Sequence, residues 1–247
     1  MSTDGLHIGC SGWSYEHWRG VLYPQDLPKS RWRDAYTSEF DTVELNASYY
    51  RWPGTKQFER WGQTLPGDFR MAVKASRWIT HARRLRDPDG AWATRLHEAW
   101  RGLGRHAGPV LLQLHPDQER DDRRLDEFLG SLDANLPVAV ELRHASWHVD
   151  EVFALLERHG AAYVVMSGAK LPCVLRATAP FVYVRMHGPS HDRLYEGEYG
   201  EADLGWWADR LHEWRADGRE VWAYFNNDGG GSAVRDAQLL RRLTGDR

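Results

Sequence analysis

The sequence predicts an α/β fold, a single closed (β/α)8 barrel with an irregular sixth βα unit. Eight short apolar runs alternate with helical patterns, which argues for parallel strands joined by helical crossovers. The length, 247 residues, suits eight such units. The turn after the first run, Gly9-Cys10-Ser11-Gly12-Trp13, lacks the G-x-G-x-x-G spacing that an open doubly wound sheet would place there.

Taken in order, the strands are expected at Leu6–Cys10, Thr42–Leu45, Phe69–Ala75 and Val110–Leu114, each closed by Gly, Pro or a polar cluster. The second half repeats the rhythm at Val138–Leu142, Ala161–Met166, Phe181–Met186 and Glu220–Phe225. Helical spacing of apolar residues is expected over Lys29–Phe40, Lys56–Leu65, Ala91–Leu103, Asp122–Leu132, Val149–His159, Leu204–Ala216 and Ala233–Leu243. Only Ser167 to Pro180 fails to offer a helix, being short and interrupted by Pro172. No repeat, low-complexity tract or linker divides the chain, so one domain is expected over 1–247.

Bulk properties narrow the function classes. With 42% hydrophobic residues the chain can bury a substantial core. A net charge of -3 provides no overall basic field for nucleic acid or anionic membrane, although a local basic cleft stays open. Cys10 and Cys173 have no metal-type spacing, the N-terminus has no charged-then-apolar leader, and no apolar run reaches a membrane span. A reduced, cytoplasmic protein with no membrane partner is expected.

The candidate site follows from strand parity, since alternate residues share a face and barrel active sites sit at the carboxyl ends of strands. The second strand offers Glu44 and Asn46, the third Lys74, the fourth Gln113, and the fifth Glu141 with Arg143. The seventh offers Tyr183, Arg185 and His187, and the eighth Tyr224, Asn226 and Asp228. Burying such charges costs several kcal/mol per ion unless they pair or meet a ligand, by order of magnitude. A structural Glu141/Arg143 ion pair is the alternative reading. The run Asn226-Asn227-Asp228-Gly229-Gly230-Gly231-Ser232 before the last helix offers backbone N–H groups to phosphate or carboxylate, or else is a turn capped by Ser232 or Asp228. Aromatic and polar loop residues surround these positions: Trp13, Tyr15 and Trp18, then Tyr49, Tyr50, Arg51 and Trp52, then Tyr195 and Tyr199. Such rings suit sugars or bases, or pack loops on helices. His81 and His144 carry no assigned role. His144 and His148 are four apart, but no carboxylate completes a zinc pattern.

Several separated motifs resemble one family. They are Gly9-Cys10-Ser11-Gly12-Trp13-Ser14-Tyr15 with Trp18, Val43-Glu44-Leu45-Asn46 with Tyr49-Tyr50-Arg51 and Pro53, and Lys74 with Ile79-Thr80-His81. Gln113-Leu114, Glu141-Leu142-Arg143-His144 with Ser146-Trp147, Arg185-Met186-His187-Gly188, and Tyr224-Phe225-Asn226-Asn227-Asp228 with Gly231 and Ala233 continue the series. Nearly the whole chain is similar to the DUF72, or YecE-like, family. The resemblance implies a TIM barrel with a shared pocket and no established reaction. The chain departs from that pattern after the sixth strand, where Met166-Ser167-Gly168 replaces an acidic residue, and at His115, where relatives often carry Pro.

The first functional expectation is a metal-independent hydrolase or lyase without cofactor, acting on a small polar anion such as a sugar phosphate or nucleotide-like compound. Glu44, Lys74 and Glu141 are its candidate catalytic residues. Trp13, Tyr15, Asn46, Arg51, Gln113, Arg143, Arg185, His187, Tyr224, Asn226 and Asp228 are its candidate substrate-binding residues. A nucleic-acid-binding or phosphodiester-cleaving barrel of endonuclease type is one alternative. A non-catalytic small-ligand barrel is the other. Oligomeric state does not follow from the sequence.

Overall fold

The structure, a computed structural model, describes residues 5–245. Eight parallel strands follow one another from first to last around a closed barrel. They are β1 Leu6–Ser11, β2 Thr42–Leu45, β3 Arg70–Lys74, β4 Ala107–Gln113, β5 Val138–Glu141, β6 Ala162–Ser167, β7 Phe181–Met186 and β8 Glu220–Phe225. The helices are α1 Trp32–Glu39, α2 Ala47–Tyr50, α3 Thr55–Thr64, α4 Ala91–Leu103, α5 Asp122–Gly130, α6 Asp150–Arg158, α7 Glu201–Ala216 and α8 Ser232–Leu243. Residues 1–4 and 246–247 of the single-domain reading lie outside the described residues. Contacts divide the chain into two compact units, the first holding 5–44, 165–175 and 181–245, the second Leu45–Val164 and Arg176–Pro180.

In the first unit β1 lies between β8, with Ile8 opposite Ala223, and β2, with Ser11 opposite Glu44. β7 pairs β8 from Phe181↔Glu220 to Met186↔Phe225. Every residue of β1 and β7 is buried, which explains why these strands read as mostly apolar runs rather than as a regular alternation. Tyr36 of α1 ties the layers: its hydroxyl accepts from Cys10 N and donates to Thr42 O, both at 2.9 Å. α7 buries Leu204, Trp207, Ala208, Leu211 and Trp214, a stripe at helical spacing. It starts three residues before the apolar pattern, and the added first turn carries Glu201 and Asp203, which suit the positive end of the helix dipole.

In the second unit β4 joins β3 and β5, with Lys74 opposite Leu111 and Gln113 opposite Glu141. β4 begins earlier than the sequence pattern indicates. Its register against β3 slips between Met71 and Val73, beside Pro109, which has no N–H for the ladder. α3 and α4 approach closely because Gly62 and Gly102 face each other, and a Cβ on Gly62 would collide with the Gly102 carbonyl oxygen. Asp121 caps α5, its carboxylate accepting from Arg124 N at 3.1 Å. Between Ser167 and Phe181 the described residues form no helix, as Pro172 predicts. Within 176–180 the Thr178 hydroxyl instead accepts from Tyr163 N and donates to Ala161 O, both at 2.7 Å, and Arg176 reaches Asp150 and Glu157 of α6.

Candidate active site

The first unit gathers a cluster around Glu44. The β1/β2 register places Ser11 beside it, and Ser11 Oγ donates to Oε1 at 2.5 Å. From β7, Arg185 grips both oxygens, Nε to Oε2 at 2.9 Å and NH2 to Oε1 at 2.7 Å. Tyr183, two residues earlier and therefore on the same face, donates its hydroxyl to Oε2 at 2.8 Å. Glu44 and Arg185 are both fully shielded from solvent. Four donors fill the carboxylate's lone pairs and leave no site for an arriving proton. A two-point pair with its remaining valences satisfied is the arrangement under which a buried ion pair is tolerated. Burial pushes the Tyr183 phenol well up, and the adjacent Glu44 charge adds to this, so the shared proton stays on tyrosine.

The other first-unit candidates are tied to their own surroundings. Tyr224 meets Thr42 Oγ1 at 2.6 Å, and burial raises its phenol well above the ordinary value. Asn226 Nδ2 lies 3.3 Å from His187 Nδ1. Tyr15 donates to Ser11 O at 2.8 Å, and Trp13 presents its edge to Tyr36. Burial raises the Asp228 carboxyl, with His17 acting in the opposite sense from 3.5 Å. In the glycine-rich loop, Gly230 and Gly231 take φ of +62° and +80°, which side-chain-bearing residues resist. Gly231 N donates to Asp228 O and Ala233 N to Asn227 O, so two amides offered to an anion by the sequence are engaged within the loop.

The second unit gathers a different cluster. Gln113 and Glu141 are partners across β4 and β5, and Gln113 Nε2 donates to Glu141 Oε1 at 2.8 Å. Arg143, just past β5, donates Nε to the same oxygen at 2.6 Å. Glu141 is fully buried and Lys74, at the end of β3, is nearly so. The Lys74 ammonium sits over the Tyr49 ring, 4.3 Å from its centroid. Tyr49 is held there by α2, whose Ser48 hydroxyl bonds both Leu45 O at 2.8 Å and Lys74 O at 2.6 Å. The Tyr49 hydroxyl is 3.1 Å from His81 Nε2.

The network assigns the His81 tautomer. Thr80 Oγ1 donates to Ser76 O at 3.1 Å, so toward His81 Nδ1, 2.9 Å away, it accepts. Nδ1 therefore carries the proton, and Nε2 accepts from Tyr49. Burial pushes His81 down to about 4, with His115, Lys74 and Arg143 adding to the effect and Glu141 opposing it. The imidazole is neutral at pH 7, and the cations outweigh the carboxylate at its position.

Strand parity thus found Gln113, Glu141, Arg143 and Lys74, but not their partners Tyr49, His81 and His115. Tyr49 lay among the loop aromatics; its position one turn past a charged strand end, and His81 in the Ile79-Thr80-His81 motif, were the available signals. The π-helical turn Trp78–Ala82 that carries His81 has no sequence signature. Asn46 is half-buried at the start of α2, and Arg51 is exposed at its end. Ser146 engages His144 at 2.8 Å. Among the described residues no group of three or more His, Cys, Asp or Glu side chains is arranged to hold a metal ion, and no helix is long and apolar enough to cross a membrane.

Comparison with known proteins agrees with this architecture. A family model described as "Protein of unknown function DUF72" matches residues 7–247. The UPF0759 protein YunF of Bacillus subtilis (strain 168) is 24% identical over 269 residues, covering 96% of this chain and 94% of that protein. The crystal structure of a DUF72 family protein from Thermotoga maritima aligns with a TM-score of 0.83 at 26% identity, over 98% of this chain and 99% of its own. One from Enterococcus faecalis aligns with a TM-score of 0.85 at 18% identity, over 98% and 96%, a likeness of fold.

Proposed function

The chain belongs to the DUF72 family, whose name assigns no reaction, and we propose that it is a hydrolase or lyase acting on a small polar anion, with the chemistry run from the second-unit cluster. The observation that carries this reading is the half-buried imidazole of His81, which burial, reinforced by the nearby Lys74 and Arg143 cations, keeps unprotonated. Such a place suits an anionic group on the substrate and also supplies a base at neutral pH.

The roles follow from the bonds. Arg143, oriented by its bond to Glu141, and Lys74 hold the anion; a sugar phosphate or nucleotide-like compound has the required charge. Glu141 and His81 are the acid–base pair. Their environments differ, one a fully buried carboxylate bonded by Gln113 and Arg143, the other a half-buried imidazole pushed down by burial and further by nearby cations. Tyr49, donating to His81 Nε2, can pass a proton between substrate and imidazole. Glu44 and Arg185 are left out of the chemistry because they are committed to each other. Substrate is found by a thermal-shift screen of sugar phosphates, nucleotides and inorganic phosphate. A ligand at 100 times its Kd stabilises by about 2.7 kcal/mol. Turnover of each hit is then followed by product release. Loss of turnover in Glu141→Gln is expected, and unchanged turnover in that variant defeats the assignment.

A further inference from the structure

We propose that the second unit also carries a docking surface for single-stranded nucleic acid, formed by Tyr50, Trp78, Arg77, Arg83, Arg84 and Arg86. This binding surface goes beyond the catalytic reading and does not rest on it.

Two exposed rings start the case. Tyr50 and Trp78 are 68% and 56% exposed, although large aromatics are ordinarily covered. They lie on two segments that meet through the Tyr49–His81 hydrogen bond: Tyr50 packs its ring on Tyr49, centroids 5.0 Å apart, and Trp78 opens the turn that carries His81. The four arginines are exposed. Among the described residues none of them has a carboxylate within ion-pair distance, whereas Arg120, Arg123 and Arg124 of the same unit pair with Asp122, Glu127 and Asp121.

The groove beside them sharpens the contrast. Arg83 and Arg86 line a groove of about 610 Å³ that also takes in Asp87, Asp121 and Glu127. Each of those carboxylates is already engaged: Asp87 accepts from the amides of Trp92 and Ala93 at the start of α4, Asp121 pairs with Arg124, and Glu127 with Arg123. The guanidinium groups of Arg83 and Arg86 are what the groove offers to a polyanion. The backbone holds them in place at a conformational cost. Arg84 and Leu85 take φ of +48° and +65°, a region disfavoured for non-glycine residues that persists only where surroundings enforce it. Here a buried Leu85 anchors the turn, with Leu85 N on Ile79 O and Arg83 N on Trp78 O, both at 2.8 Å.

Open π faces beside unpaired guanidinium groups match a chain in which bases alternate with phosphates. A single strand presents bases free to stack, which a duplex does not, and an acidic protein or bare polyphosphate would leave the rings unused. With a net charge of -3 the attraction is local, so binding must weaken steeply as salt rises.

The test is fluorescence anisotropy of the full chain with a labelled oligothymidylate and oligouridylate of about twelve nucleotides, within the usual footprint of such surfaces. The competing probes are the matching duplex, inorganic polyphosphate and polyglutamate. Tyr50→Ala and Trp78→Ala should each weaken single-strand binding about tenfold. Arg83→Ser with Arg86→Ser should lower the slope of log Kd against log salt by about 0.7 per arginine. Arg193→Ser, an exposed arginine paired with Glu196, should leave binding unchanged, as should Glu141→Gln, which separates this proposal from the catalytic one. The exposed positions, Tyr50, Trp78, Arg83, Arg86 and Arg193, should tolerate substitution, and circular dichroism checks that each variant, Glu141→Gln included, is folded. Absence of binding at low salt, equal binding of polyphosphate, polyglutamate or duplex, or unchanged binding in both aromatic variants overturns the proposal.

Discussion

Glu44 in the first unit and Glu141 in the second are both fully buried carboxylates near the carboxyl end of a strand, and both meet an arginine. Their surroundings differ in kind. Arg185 takes both Glu44 oxygens while Ser11 and Tyr183 fill what remains. At Glu141, Arg143 donates Nε to one oxygen, shares that oxygen with Gln113, and itself keeps partial contact with solvent. A buried acid beside a base is therefore not by itself a mark of catalysis. What differs between the two is solvent: the Arg185 guanidinium on Glu44 is wholly shielded, whereas the Arg143 guanidinium on Glu141 lies past the strand end and keeps partial contact with water.

The largest effect expected from this contrast is on stability. Arg185→Met strands the Glu44 carboxylate in the interior and should cost about 3–5 kcal/mol in urea denaturation, most of it recovered in Arg185→Met combined with Glu44→Leu. A single-variant loss below about 1 kcal/mol would break the distinction, because exposed pairs behave that way. Glu141→Gln keeps an oxygen for Arg143 and should cost only about 1–2 kcal/mol, while any turnover falls by roughly 10²–10⁴. Equal destabilisation by the two substitutions would make both clusters structural.

Smaller effects appear in the pH dependence of stability, with opposite signs in the two units. Burial pushes His81 down to about 4 from its ordinary 6.5. The unfolded chain therefore binds more protons between those limits, so this contribution is full above pH 6.5 and is lost as pH falls toward 4. Its size should be at most about 2 kcal/mol, because the half-buried ring is partly screened. His81→Gln should flatten the curve in that window, as read by denaturation midpoints across pH. In the first unit, burial pushes Asp236 up to about 6 from 3.8, against the hydrogen bonds it accepts from Asn227 and Tyr199 N. Here the folded chain binds more protons, so stability falls as pH rises from 3.8 to 6 and stays lower above. Relative to the native chain, Asp236→Asn should gain on the order of 1 kcal/mol over that rise. A flat difference curve would show that Asp236 does not titrate there.

Much of the fold was legible because its signals are local. β2, β7 and β8 have the bounds that their apolar runs indicate, and the missing sixth helix was foreshadowed by Pro172. The opening of β4 was hidden by Pro109, and α2 is a single turn, too short for a periodic pattern. For the site, parity marked Gln113, Glu141 and Arg143, and the register pairs Gln113 with Glu141, all at neighbouring positions on adjacent strands.

The eight strands, the longer helices and the charged strand ends were readable from the sequence, since burial on both faces of a strand and the stripe along a helix are written in residues a few positions apart. What those charges do depends on packing between distant segments. Arg185 and Glu44 are 141 positions apart, and their mutual saturation depends on β1, β2 and β7 bringing four donors to one carboxylate. The low titration of His81 likewise arises from desolvation and from cations on other segments, and both depend on packing in space rather than on chain neighbours.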